Sequence, residues 1–273
     1  MYFPGTASLC IFIPMKNLKL TLVQTRLHWE QPEKNRQYMS GLLADLRKGS
    51  TDIILLPEMF ATGFTMNAKK VAEKMDGESV QWMRELAAKK NAVVCGGLVI
   101  EEKKKFFNRL IWMQPDGEYF TYDKRHLFRM ANEHLTYSPG KKKLIVEWKG
   151  WRICPLVCYD LRFPVWSRNT GDYDLLLYVA NWPERRSFAW SQLLIARAIE
   201  NQCFVAGLNR VGVDGKNITY TGDSVVLDPF GEKISNIKPS KVQIETIKLD
   251  PKVLHDARKN FPVMMDRDRF RIF

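Results

Sequence analysis

No C-x-x-C pair occurs in this sequence, and its five cysteines, at positions 10, 95, 154, 158 and 203, are an odd number. That pattern argues against a disulfide framework and against a zinc site. It fits a reducing compartment, so we expect a cytoplasmic protein that needs neither metal nor cofactor. The start of the sequence also reads as a poor secretion signal. The first 14 residues, MYFPGTASLCIFIP, are mildly apolar but hold no Lys or Arg, and Pro4 and Pro14 interrupt them. They are also far too short to span a bilayer. We read residues 1–15 as an N-terminal extension, disordered or contributed by an upstream start, and 16–273 as a single domain. Internal repeats and low-complexity linkers are missing too, and nothing divides the chain.

What is present is ordinary for a globular protein: 45% hydrophobic and 26% charged residues. A chain of 273 residues buries roughly 70–75% of its unfolded surface without help from disulfides or metals. Lys and Arg outnumber Asp and Glu by 42 to 30, a formal charge of +12. Such an excess suits nucleic acid, a membrane surface or a small anion. The basic residues are scattered, however, and the two Lys runs at 103–105 and 141–143 read as solvated turns. Aromatic–basic interleaving of the RNA-binding kind is absent. No nucleic-acid and no membrane partner is expected, and the charge by itself leaves a small anion open.

Short apolar runs alternate with helical stretches. Leu18 to Gln24 reads as a strand, and Thr51 to Leu56, bounded by Pro57, as a strand buried on both faces. Glu33 to Lys48 reads as a helix with Tyr38, Leu42, Leu43 and Leu46 on one face. Gly77 to Lys90 reads as another, with Val80, Met83, Leu86 and Ala87 inward. Ala92–Ile100, Phe106–Gln114, Leu144–Trp148, Trp151–Val157, Tyr173–Ala180, Cys203–Leu208, Ser224–Leu227, Glu232–Ile237 and Val242–Leu249 are the further strands. Phe188 to Asn201 is a helix with Leu193, Leu194, Ala198 and Ile199 available for packing, and Pro251 begins a short last one. The mixture implies an α/β layered domain with a mixed sheet or two sheets.

Three polar residues stand where a buried polar side chain is costly without a partner or a task. Glu58 follows DIILLP, Cys158 follows WRICPLV, and Lys124 follows EYFTYD. Loops after strand ends commonly host sites. Each also has a plain alternative. A cysteine at a strand end is usually a small core residue, a glutamate after proline a cap, and a lysine in YDKRH a solvated side chain.

Together the three segments PEMFATGF, YDKRHLF and LVCYDLRFP closely resemble the signature segments of the nitrilase superfamily of carbon–nitrogen hydrolases. They occur in that family's order, with Glu58, Lys124 and Cys158 spaced by 66 and 34 residues. The likeness continues through NRLIWMQPDG, VANWPERR, ARAIENQCFVAGLNRVG and GDSVVLDPFGE, nearly the whole chain from about Lys16. YDKRHLFRMANEHLTYSPG and CYDLRFPVWSRN look like the omega-amidase branch. The resemblance implies a four-layer α-β-β-α sandwich that associates as a homodimer or higher oligomer across its helical layer.

It also implies roles. Cys158 would be the nucleophile, active as a thiolate. Glu58 would be the general base, Lys124 the oxyanion stabiliser together with the backbone N–H of Tyr159, and Glu133 a supporting second glutamate. The neighbouring His126 and His134 invite a Cys–His protease reading, against which the resemblance speaks. The implied substrate is the terminal amide of a small 2-oxo dicarboxylic acid, 2-oxoglutaramate or 2-oxosuccinamate, hydrolysed to the 2-oxo acid and ammonia. Another small amide or a carbamoyl compound is the alternative. The substrate's far carboxylate needs a cation, and Arg162 and Arg129 are the candidates. Arg162 could instead form a structural ion pair with Asp160 or another acid. Phe64, Tyr159 and Trp182 could wall the pocket.

Overall fold

The computed structural model describes residues 15–272, so residues 1–14 of the expected extension lie outside the described residues. Strands β1 (Leu18–Gln24), β2 (Ile53–Leu55) and β3 (Val93–Glu102) run parallel, and β4 (Lys105–Met113) and β5 (Tyr119–Asp123) continue the sheet as an antiparallel meander. β6 (Val146–Trp148) pairs antiparallel with β7 (Trp151–Val157), which runs parallel to β8 (Leu175–Ala180) and β9 (Phe204–Asn209) in a second sheet. β10 (Val211–Val213) and β11 (Thr219–Thr221) form a separate hairpin. β12 (Val225–Leu227) closes the second sheet beside β9, and β13 (Gln243–Leu249) returns to the first beside β1. The two mixed sheets have the orders β13-β1-β2-β3-β4-β5 and β12-β9-β8-β7-β6.

Side-chain alternation explains why the β2 run is apolar throughout. Ile53 and Leu55 join the core between the two sheets, whereas Ile54 and Leu56 face the helices on the outside. Those helices are Pro32–Leu42 and Glu78–Lys90. The second presents Val80, Met83, Leu86 and Ala87 to the sheet, as its spacing requires. On the other side helix Ser187–Asn201 packs on β9, with Trp190, Leu194 and Ala198 in the core. Gly207 permits this approach, because a Cβ there would lie 2.4 Å from Leu194 Cδ1. The result is the expected α-β-β-α layering.

Three local expectations are corrected. The first helix ends at Leu42, not Lys48, and turns Asn35 and Met39 inward in place of Tyr38 and Leu42, with Leu43 buried as expected. Asn35 sets that register: its Nδ2 donates to His28 O and Ala61 O, and its Oδ1 accepts from His28 N, each at 2.7 Å. Lys90 Nζ donates to the carbonyls of Leu43 and Leu46, at 2.6 and 2.5 Å, and holds the chain where the helix stops. Ile199 is 51% exposed rather than packed. The segment 232–237 is not a strand beyond the bridge of Lys233 to Leu227. Its Glu232 N–H goes to Asp228 Oδ1 and its Asn236 N–H to the Glu245 carboxylate, so side chains take donors a ladder would use.

Candidate active site

The parallel strands of both sheets deliver polar residues to one place. Glu58 leaves β2 after Leu56 and Pro57. Gly97 on β3 lets it do so, since a Cβ there would lie 2.9 Å from Met59 N and 3.1 Å from Glu58 Cα. Lys124 follows β5, and its N–H donates to Asn108 O on β4 at 3.0 Å. Glu133 opens a single helical turn, Glu133–Thr136, behind Asn132 at φ +58°. Cys158 follows β7 directly and has φ +45°, a left-handed conformation that a residue with a Cβ adopts at a cost of about 1–3 kcal/mol.

All four converge, and Glu58, Glu133 and Lys124 are all but sealed from solvent. Lys124 Nζ donates to Glu58 Oε1 at 2.9 Å and to Glu133 Oε1 and Oε2 at 3.1 and 3.0 Å. Glu58 Oε2 accepts from Asn181 N at 2.8 Å. Glu133 Oε2 accepts from Phe128 N at 2.6 Å. Cys158 Sγ lies 4.0 Å from Asn181 O and is 8% exposed.

One ammonium thus stands between two carboxylates beside a thiol, and charge sets the proton distribution. Burial and the Glu58 charge push the Cys158 thiol well above its usual range, against the pull of Lys124. Burial would lower Lys124, but Glu133 and Glu58 hold it well above the ordinary ammonium value. Burial also raises the Glu133 carboxyl, opposed by Lys124. At neutral pH the sulfur therefore rests as a thiol and needs a base to release it, while the lysine is a permanent cation.

The cleft above this cluster holds about 220 Å³ and reaches Lys124, Cys158, Tyr159, Arg162, Trp182 and Phe64, all expected from the sequence. Glu58 and Glu133 sit behind it. Arg162 is exposed, with its guanidinium 5.0 Å from the Trp182 ring. The alternative ion pair of Arg162 with Asp160 is not formed, since Asp160 is taken up by Val157 N, Tyr122 Oη and His126. Arg129 is exposed and is not among the cleft-lining residues. His126 turns its ring to Asp160, not to the thiol.

Sequence reasoning missed several residues. Asn108 Nδ2 donates to both Glu58 Oε1 and Glu133 Oε1, at 2.7 and 3.0 Å. Asn181 follows the buried run LLLYVA of β8 and fixes Glu58 through its backbone N–H and through Nδ2, which reaches Glu58 O at 2.6 Å. The signal that marked Cys158, a polar residue at the end of an apolar strand, marks Asn181 equally. Phe128, Arg185, Arg186, Lys216 and Tyr220 also line the cleft. Among the described residues no group of His, Cys, Asp and Glu is arranged to hold a metal ion, and no helix is long and apolar enough to cross a membrane.

A thiol, a carboxylate able to take its proton, and a fixed cation facing one small cleft can attack a carbonyl, stabilise the oxyanion and carry an acyl group. These features and the sandwich that presents them are those of a hydrolase of the α-β-β-α type. Comparison gives the family: residues 19–259 match the carbon–nitrogen hydrolase family, and the chain belongs to it. It is 47% identical over 259 residues to the omega-amidase YafV of Escherichia coli K12, covering 95% of this chain and all of that one. It is 34% identical over 253 residues to the 2-oxoglutaramate amidase of Bacillus subtilis, covering 90% of this chain and 96% of that protein. The crystal structure of XC1258 from Xanthomonas campestris, a CN-hydrolase superfamily protein with an arsenic adduct in its active site, superposes with a TM-score of 0.93. That pair is 48% identical, and the match covers 95% of this chain and all of that one.

Proposed function

We propose that this enzyme is an omega-amidase that hydrolyses the terminal amide of small 2-oxo dicarboxylic acid monoamides, 2-oxoglutaramate and 2-oxosuccinamate. The observation that carries the reading is a small cleft with the thiol at its base and unpaired guanidinium groups on its wall. Arg162 and Arg186 both line the cleft, and neither is in an ion pair among the described residues. Arg186 lies 5.1 Å from the Phe128 ring, and the nearby charges of Arg185 and Arg162 add to burial in lowering its affinity for a proton. An anion between Arg162 and Arg186 would relieve that repulsion. The far carboxylate of the substrate is such an anion, and it leaves the amide over Cys158.

The chemistry runs in two halves. Glu58 takes the Cys158 proton as sulfur attacks the amide carbon. The oxyanion forms beside Lys124 Nζ and the Tyr159 N–H. Glu58 then returns the proton to the departing nitrogen, ammonia leaves, and a thioester remains on Cys158. In the second half Glu58 takes a proton from water, hydroxide attacks the thioester, and the 2-oxo acid leaves as the thiol is re-formed. Glu133 holds Lys124 throughout. Phe64, Tyr159 and Trp182 shape the walls.

The test is ammonia release from 2-oxoglutaramate and 2-oxosuccinamate beside glutamine and asparagine, with Cys158→Ala as control. Turnover of the 2-oxo amides, absent in the variant, is expected. Inactivity on both with efficient turnover of a carbamoyl amine or another small amide would overturn the substrate assignment and leave the chemistry. A homodimer across the helical layer is supported by Phe188 and Ile199, 78% and 51% exposed and eleven residues apart on one stripe of helix Ser187–Asn201. Light scattering at low protein concentration measures it.

A further inference from the structure

Lys124 and Cys158 come from different sheets, β5 of the first and β7 of the second, and no hydrogen bond joins the two side chains directly. Their relative placement has to be fixed by something else. One side chain touches the backbone on both sides of that gap. Asp160, fully buried, accepts from Val157 N at 3.2 Å, one residue before the nucleophile. It accepts from Tyr122 Oη at 2.7 Å, two residues before the lysine. It accepts from His126 N at 3.0 Å and His126 Nδ1 at 2.7 Å, two residues after the lysine. Because the partner is a carboxylate, Nδ1 of His126 carries the proton. Tyr122 Oη in turn accepts from Trp166 Nε1 at 2.9 Å, which ties in the short helix Pro164–Ser167.

We propose that Asp160 is the positioning residue of this active site: its carboxylate grips the chain on either side of Lys124 and pins the turn that holds Cys158 at positive φ. Two physical points support it. The left-handed Cys158 is strained, and such a residue persists only where its surroundings over-determine it. The Val157 N–H to Asp160 bond closes that turn. A carboxylate sealed from water also needs its donors, and here all four come from the two catalytic segments. The His126 ring extends the hold to the cleft wall. It stacks on Phe163 at 3.7 Å and 7°, and Phe163 meets Tyr159 edge-on at 5.2 Å.

The inference rests on Cys158 as the nucleophile but not on the substrate, and its test separates the two. Asp160→Asn and the milder Tyr122→Phe are compared with the parent protein in three measurements: kcat and KM for ammonia release, the second-order rate of Cys158 alkylation by iodoacetamide, and the melting temperature. A displacement of about 1 Å between reacting groups costs about 100-fold in rate. Asp160→Asn is therefore expected to lower kcat by about 100-fold with KM within about 3-fold, and Tyr122→Phe by about 10-fold. Alkylation should slow in step with kcat. Variants that melt earlier but keep the parent kcat and alkylation rate, assayed well below their melting points, would show Asp160 to be a core polar residue only and overturn the proposal. So would a rise in KM at constant kcat. If Asp160→Asn fails to fold, Tyr122→Phe decides alone. Failure of the substrate reading shows instead in the parent protein, which would release no ammonia while its thiol is still alkylated.

Discussion

Replacing Glu58 by glutamine changes the charge and leaves the shape, and the structure predicts two separable losses. Glu58 Oε1 faces the Lys124 ammonium and the Asn108 Nδ2 amide, and Oε2 faces the Asn181 N–H. Every neighbour is a donor. In either flip the glutamine N–H group would point at another donor in a site closed to water. Leaving buried donors unsatisfied costs about 1–3 kcal/mol. At about 2–4 °C per kcal/mol for a domain of this size, the melting temperature should fall by about 2–12 °C. The second loss is chemical. The substitution removes the Glu58 charge, but burial, the larger cause, still raises the thiol above its usual range, so without the base little thiolate forms at pH 7. Removing a general base lowers the rate by about 100- to 10,000-fold. The residual activity of Glu58→Gln should climb with pH, because hydroxide replaces the missing base as the solution approaches the thiol's own pKa. Steady-state ammonia release from pH 6 to 10, with a melting curve on the same samples, reads both effects. A folded variant within about tenfold of the parent activity, or one whose residual rate is flat across that range, would refute Glu58 as the base.

Lys124→Met leaves Glu58 and Glu133 facing each other without their shared cation, and removal of one partner from a buried set costs about 3–5 kcal/mol. In that variant one carboxyl must take up a proton on folding, which raises its folded pKa above the unfolded value. The stability so gained is present at low pH and lost as pH rises, so Lys124→Met should melt higher at pH 5 than at pH 8. Gly97→Ala drives a methyl group to 2.9 Å from Met59 N and 3.1 Å from Glu58 Cα. It should destabilise by about 1–3 kcal/mol and lower kcat far more than it changes KM, checked by kinetics and denaturant melts. Asp174 tests the scaffold. Burial would raise its carboxyl, but hydrogen bonds from Arg152 and Arg258 hold it below the usual value of 3.8. With a depressed folded pKa, its contribution is complete above about pH 4 and lost as pH falls further. Arg258→Ala should flatten the acid limb of the melting profile and loosen the helix Pro251–Asn260 that Arg258 tethers through Asp174 and Tyr173 O.

How far a site can be read from sequence depends on what buries each residue. β1 and β7 were legible to the residue because both are mostly buried and mostly apolar, interrupted only by Lys19, Thr21 and Gln24 in the first and by Arg152 in the second. Glu58, Cys158 and Asn181 stand one or two places past such runs, so burial itself marks them. Lys124 is different. Its strand, Tyr119–Asp123, is an edge strand and mostly open to solvent, and YDKRH reads as a surface turn. Lys124 is buried only because the segment after it folds back, with Glu133 bonded to Lys124 Nζ and Tyr137 Oη donating to Thr65 O at 2.6 Å. Nothing local encodes that closure, and here the family resemblance supplied what the residues did not. Asn108 was hidden for a related reason. A single asparagine in a strand that also holds Arg109 looks like an edge residue until two carboxylates from distant segments are seen to share its Nδ2. The β10–β11 hairpin, which brings Lys216 and Tyr220 to the cleft, has strands of three residues, too short for a period to show. Cys158 and Glu58 are thus set by strand ends that sequence reveals. Lys124, Glu133 and the Lys216 and Tyr220 part of the cleft wall come from an edge strand and folded-back loops, where burial is a property of the tertiary structure alone.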